Sequence, residues 1–298
     1  MKARIAFLMG MPRRDAFEGV GALLSALEVR FGHVFSVSEH LVGAAALNAG
    51  QEPLSDEVLA HAQQADAVWM DGFGSGGAAF SGAQLRQRLR RSLALHARVQ
   101  PLRCLSRAVG VAGLDALLVS DFEPDLEGLK SVEPETSAHL ARERVAHALA
   151  RQRWGLVTEV TPDQGPTEIH GSVRLERRRF EAVDVALRES PGRMDVVLSE
   201  TDVAERLAQS AAGLPGAVLP WTSAWLNADG RGIYWLPEGL SPAALANQMA
   251  FALRTSLRLE SEAAGVVQAL GFSGTGKTTS ADQLRAAVAG ELLGSAAI

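Results

Sequence analysis

The chain has 298 residues, 47% of them apolar, and a formal charge of −5, enough for two domains of ordinary size or one large α/β unit. A single cysteine, Cys104, excludes a disulfide framework and a cysteine-rich zinc site. Basic and acidic residues are interspersed, which offers little to a nucleic-acid backbone, and no run reaches about 18 apolar residues without a charge, so no membrane span is expected.

The first ten residues turn polar too soon for a secretory signal and read as a buried strand over 4–9, so a cytoplasmic protein is expected. Further strands are predicted at 67–70, 116–119, 155–160, 195–198 and 232–236. Helices are predicted over 17–30, 55–64, 83–95, 137–152, 174–189, 202–212, 242–259, 260–270 and 281–293. Strands met singly between helices imply βαβ units and a partly parallel sheet. Ser55, and Ser241 followed by Pro242, mark helix starts. The stretch 161–171 (TPDQGPTEIHG) reads as a loop long enough to be a contact feature.

Near the end, Gly271-Phe-Ser-Gly-Thr-Gly276-Lys277-Thr278 matches the phosphate-cradling G-x-x-x-x-G-K-[ST] pattern. That loop works only where a strand delivers it and a helix follows, because successive backbone N–H groups must converge on the phosphates. Here the residues before it carry helical spacing with two acids. Few residues remain afterwards to supply further strands or a Mg²⁺ carboxylate. The motif therefore reads as a connector between helices, with Lys277 as the residue that would bind phosphate if it were not.

Several stretches occur in an order that is itself informative: Ala65-Asp-Ala-Val-Trp-Met-Asp-Gly-Phe-Gly-Ser-Gly-Gly77, Leu89-Arg-Arg-Ser-Leu-Ala-Leu-His-Ala-Arg-Val-Gln-Pro101, Asp115-Ala-Leu-Leu-Val119 with Glu127-Gly-Leu129, Met194-Asp-Val-Val-Leu-Ser-Glu200, Leu214-Pro-Gly with Leu219-Pro220, and Leu245-Ala-Asn247. As an ordered set the chain resembles the isocitrate/isopropylmalate dehydrogenase family of β-decarboxylating dehydrogenases. The resemblance implies an α/β two-domain fold with mixed sheets flanked by helices. It implies an outer, cofactor-side domain from both chain ends, 1–95 and 216–298, and an inner domain, 96–215, that carries dimerisation. It implies oxidation of a 2-hydroxy acid by NAD(P) with loss of CO₂, using arginines, a Lys, a Tyr and Mg²⁺ or Mn²⁺.

The chain departs from that pattern in nearly every role. Arg90 persists, but the arginine expected before Pro101 is Gln100, and Lys130 stands where the family has its tyrosine. The proton-moving lysine falls near Pro162, which cannot titrate. Of the metal acids, Asp184 corresponds to one, while the two aspartates expected four apart have become Glu205 and Gln209. The long cofactor loop is reduced to Leu236-Pro-Glu-Gly-Leu-Ser-Pro242, leaving Gly239 and Asn247 as the remaining cofactor-side candidates. Asp121, Glu123, Asp125 and Glu127 would repel a carboxylate substrate.

Other residues carry less. His96 with Arg90, Arg91 and Arg98 forms either a small anion-binding patch or a solvated helix end. His170 reads as an isolated loop histidine. Trp221, Trp225, Tyr234 and Trp235 read as core between domains rather than a base-stacking platform. Three functional readings follow. The first is a catalytically degenerate dehydrogenase-like chain that binds a partner or small ligand, as a homodimer or in a hetero-oligomer with a related subunit. The second is a diverged NAD(P)- and divalent-metal-dependent dehydrogenase/decarboxylase. The third is a phosphate- or nucleotide-binding protein using 271–278.

Overall fold

The computed structural model describes residues 1–11, 15–75, 79–105, 113–122, 135–236 and 240–273. The chain opens with β1 (Lys2–Met9), α1 (Asp15–Phe31), β2 (Val34–Leu41), α2 (Gly43–Asn48), α3 (Asp56–Gln64), β3 (Ala67–Met70) and α4 (Gly82–Ser92). It continues through β4 (Ala97–Arg103), β5 (Asp115–Ser120), α5 (Glu135–Arg151), β6 (Leu156–Val160), β7 (Glu168–His170), β8 (Val173–Arg178), α6 (Phe180–Glu189), β9 (Val196–Leu198), α7 (Thr201–Ala212) and β10 (Ala224–Leu226). It closes with β11 (Gly232–Trp235), α8 (Pro242–Thr255) and α9 (Glu260–Ser273). Two compact units result: Met1–Ala94 with Arg231–Ile298, and Leu95–Gly230. The second crossing between units thus lies after β10, beyond the position near 215 read from the sequence.

In the unit made from both chain ends the strand order is β2-β1-β3-β11, all parallel. β3 is Ala-Val-Trp-Met with every residue buried, the continuous apolar run expected of a strand covered on both faces. α1 lies over the face of β1 that carries Phe7, whose ring sits 5.1 Å from that of Phe17. The two predicted helix starts are formed as read. Ser55 accepts the Val58 N–H at the head of α3, and Ser241 accepts the Ala244 N–H at the head of α8, with Pro242 in the first turn. α8 is buried nearly all round. Tyr234 packs 5.3 Å from Trp69 and 5.8 Å from Phe251 in this unit, whereas Trp221 and Trp225 belong to the other.

In the inner unit the order is β10-β4-β5-β9-β6-β8-β7. β5, β9, β6 and β8 run parallel, and β4 and β7 are antiparallel to their neighbours. The core includes Leu102, Leu114, Leu118, Val183, Leu187, Val197 and Leu207. A buried ion network ties the amino-terminal ends of three strands. Asp195, 0% exposed, accepts from Arg153 Nε at 2.6 Å and from the Trp154 and Leu156 N–H groups at 3.1 Å. Arg153 and Arg103 each reach Asp115 Oδ1 at 3.2 Å.

The structure differs from the sequence reading in several elements. The helix predicted over 174–189 is β8 followed by α6. Val173 and Leu175 point inward between Arg174 and Glu176, a period of two that pairing with β6 makes decisive. Arg/Glu-rich composition suits a helix equally well in isolation. β2 alternates apolar residues with Ser36, Ser38 and Glu39 at the end of its sheet. β7 lies in the stretch read as a loop. β4 holds Pro101, which argues against a strand; β10 pairs only with residues 97–99, so the missing N–H falls beyond that ladder.

Candidate binding site at the strand ends

Open parallel sheets bind ligands outside the carboxyl ends of their strands, where N–H groups of the following turns point outward. In the outer unit that end is built by Gly10 after β1, Val42-Gly43 after β2 and Asp71-Gly-Phe-Gly74 after β3. The three turns are pressed together so closely that side chains are excluded. A Cβ on Gly10 would lie 1.9 Å from the Gly72 carbonyl oxygen, and one on Gly43, at φ +54, would lie 2.0 Å from that of Phe73. Gly74, at φ +65, would meet Gly10 O and Ala44 Cβ at 2.9 Å. Glycine is required here because backbone meets backbone.

Asp71 is the charged group at this crossing. It is 9% exposed, and its carboxylate takes the Gly10 N–H at 2.7 Å and the Met11 N–H at 3.3 Å. Burial pushes its pKa up to about 6, against the opposing pull of those two donors. The neighbouring donors are also used by the chain: Gly43 N–H bonds Pro53 O at 2.6 Å, and Ala44 N–H bonds Phe73 O at 2.7 Å. An internal carboxylate and two carbonyls thus occupy the groups that would otherwise face an anion. Sequence reasoning passed over Asp71; the available signal was a lone acid closing an otherwise wholly apolar strand.

In the inner unit the carboxyl ends of β5 and β6 carry a second charged cluster. Asp121 pairs with Arg142 of α5, and its carbonyl accepts from Thr201 Oγ1 at 3.3 Å. Glu159, 8% exposed, accepts from Arg177 Nε at 2.9 Å and lies 3.4 Å from His139 Nε2. Arg177 also pairs with Glu168, whose other oxygen is 3.1 Å from His170 Nε2. Hydrogen bonds from Arg177 and His170 hold the Glu168 carboxyl below its ordinary range. His170 is therefore not isolated, and its ring also lies 5.3 Å from that of His147.

The residues expected to act are distributed among these elements. Asp184 on α6 pairs with Arg188 one turn on. Glu205 and Gln209 are both exposed on α7, with Glu205 3.9 Å from Arg98 Nη1. Asp184 and Glu205 thus face different arginines, and among the described residues no group of three or more His, Cys, Asp or Glu is placed to hold a metal. Arg90 is half-buried in the last turn of α4, in the outer unit with Arg91, while His96 and Arg98 belong to the inner one. Asn247 is 2% exposed inside the packing of α8. Burial raises the Cys104 thiol to about 11, which removes it as a nucleophile at neutral pH. Lys130, Gly239 and Lys277 lie outside the described residues. The segment that leads into the 271–278 motif is α9, and Gly271 to Ser273 are still helical. A helix, not a strand, delivers that loop.

No family model matches the chain. It is 26% identical to 3-isopropylmalate dehydrogenase of Geobacillus kaustophilus, over 90% of this chain and 86% of that protein. It is 27% identical to the enzyme of that name from Bacillus caldotenax, over 88% and 85%. Among solved structures, isocitrate dehydrogenase from Methylococcus capsulatus superposes with a TM-score of 0.67 at 16% identity, covering 96% of this chain and 98% of that one. A β-decarboxylating dehydrogenase from Thermococcus kodakarensis in its apo form gives 0.69 at 16% identity, covering 98% and 96%. The chain is a remote, diverged homologue of the isocitrate/isopropylmalate dehydrogenase family and has its mixed α/β fold.

Proposed function

We propose that this protein is a catalytically degenerate isopropylmalate/isocitrate dehydrogenase-like chain that works by binding, assembling with itself or with a related subunit in the cytoplasm. One observation carries the reading: at the strand ends, Asp71 places a carboxylate on the Gly10 and Met11 N–H groups. A dinucleotide phosphate brought there would meet a buried acid instead of free donors, so the residues present do not fit it. The sequence departures at Gln100, Lys130, Pro162 and Gln209 support the same conclusion, since arginine, proton-transfer and metal roles each supply orders of magnitude in rate. Asp184 and Glu205, each beside an arginine, support it from the metal side.

The test is turnover. The purified protein, given 3-isopropylmalate or isocitrate with NAD⁺ or NADP⁺ and Mg²⁺, is expected to form no reduced nicotinamide, and light scattering is expected to show an assembly larger than the monomer. Metal-dependent reduction that is lost in Asp184→Asn would overturn the degenerate reading and establish a diverged dehydrogenase. A strict monomer at all concentrations, with no partner retained on purification, would overturn the assembly.

A further inference from the structure

A cavity of about 390 Å³ lies in the outer unit between α1 and the β1–β2 face, within the size range of small-molecule sites. It shares no residue with the strand-end crossing. Its lining is mixed: Phe7, Phe17 and Phe35, all largely buried, form the apolar part, while Glu18 and Glu39 are exposed at its mouth. Glu18, Glu28 and Glu39 also line it, and among the described residues no Lys, Arg or His does. Glu28 is fixed in place, its Oε1 accepting the Phe35 N–H at 2.7 Å.

Gly21 leaves this space free of a side chain. It stands in the interior of α1, where glycine is less favourable than alanine. Two residues earlier, Gly19 has a packing reason, since a Cβ there would lie 2.6 Å from Leu245 Cδ2. Gly21 has none: an added Cβ meets nothing within 4 Å. It lines the cavity, and any longer side chain there would grow into it.

We infer that this cavity is a binding site for a small organic cation, an ammonium group carried on an aromatic or aliphatic body. The apolar body lies against the side of the cavity lined by Phe7, Phe17 and Phe35, and the cation is drawn by the three carboxylates. An anion of the same shape meets the same walls but the opposite field, so charge is the selecting property. The inference stands apart from the dehydrogenase reading, and either can fail without the other.

The experiment uses the full-length protein with phenethylamine and phenylacetate, two probes of similar body and opposite charge, followed by calorimetry and by amide chemical shifts. Phenethylamine is expected to bind saturably, shifting the amides of Gly21, Ser25 and Val37, with phenylacetate weaker by roughly tenfold or more. Glu39→Gln is expected to weaken the amine severalfold and leave phenylacetate unchanged. Gly21→Leu is expected to abolish amine binding while the protein stays folded; should it not fold, Gly21→Ala, whose Cβ meets nothing within 4 Å, is expected to weaken the amine severalfold, and unchanged affinity in it would overturn the proposal. No saturable amine binding, equal binding of the two probes, or shifts confined to residues elsewhere would each overturn the proposal.

Discussion

Asp71→Asn isolates the group on which the functional reading turns. In the folded chain burial raises the Asp71 carboxyl from 3.8 to about 6. Between those values the folded state therefore binds a proton that the unfolded state has released. The contribution to stability is greatest below 3.8 and is lost as pH rises through about 6, the reverse of a salt-bridged carboxylate. Linkage with these values gives about 1.4 kcal/mol at pH 5 that has vanished by pH 8. Asn does not titrate, so subtracting its stability removes the other carboxylates from the comparison. Urea unfolding of both proteins across this pH range, followed by circular dichroism, is the assay. The wild-type protein should lose about 1.4 kcal/mol relative to the variant between pH 5 and pH 8. A pH-independent difference, or one that grows in favour of wild type as pH rises, would refute a buried, raised carboxyl at this crossing.

Other perturbations test the frame around it. Gly10→Ala and Gly43→Ala drive a Cβ to within 2.0 Å of a carbonyl oxygen and should each cost more than about 2 kcal/mol in urea unfolding. Gly21→Ala, which meets nothing, should instead stabilise by about 0.5–1 kcal/mol. Asp195→Ala removes one of the two carboxylates that hold Arg153 and strands the Trp154 and Leu156 N–H donors; it should destabilise by about 2–3 kcal/mol, read as a lower denaturation midpoint. Burial, the largest influence on His147, holds its imidazole below the ordinary value of 6.5. The folded chain then resists protonation that the unfolded chain accepts, so His147 stability is present above 6.5 and lost as pH falls below it. His147→Leu should flatten thermal stability between pH 7 and pH 5, approximately.

The fold was legible because its order of motifs and its capping residues act locally. Ser55 and Ser241 announce their helices from their own few residues. β8 was not legible, because Val-Arg-Leu-Glu-Arg-Arg satisfies helix propensity alone and becomes a strand only when β6 supplies its ladder. β4 was obscured by Pro101, whose tolerance depends on how far the distant β10 extends. At the site, the lost arginine and lysine could be read off as residue types. Asp71 could be noticed as a lone acid after an apolar strand, but its partner could not, because the donor Gly10 is 61 positions away and nothing in either segment names the other. The phosphate-loop motif illustrates the converse. Its residues match a pattern, yet the element that enters it is a helix, and geometry, not the match, decides whether N–H groups converge.

Asp71 on the Gly10 and Met11 N–H groups is proposed to shut a nucleotide phosphate out of this crossing. The decisive measurement is isothermal titration of the purified protein with NAD⁺ and with NADP⁺, with and without Mg²⁺. No saturable heat is expected for either nucleotide. Stoichiometric binding of either one, with amide shifts at Gly10, Met11 and Gly72, would contradict it.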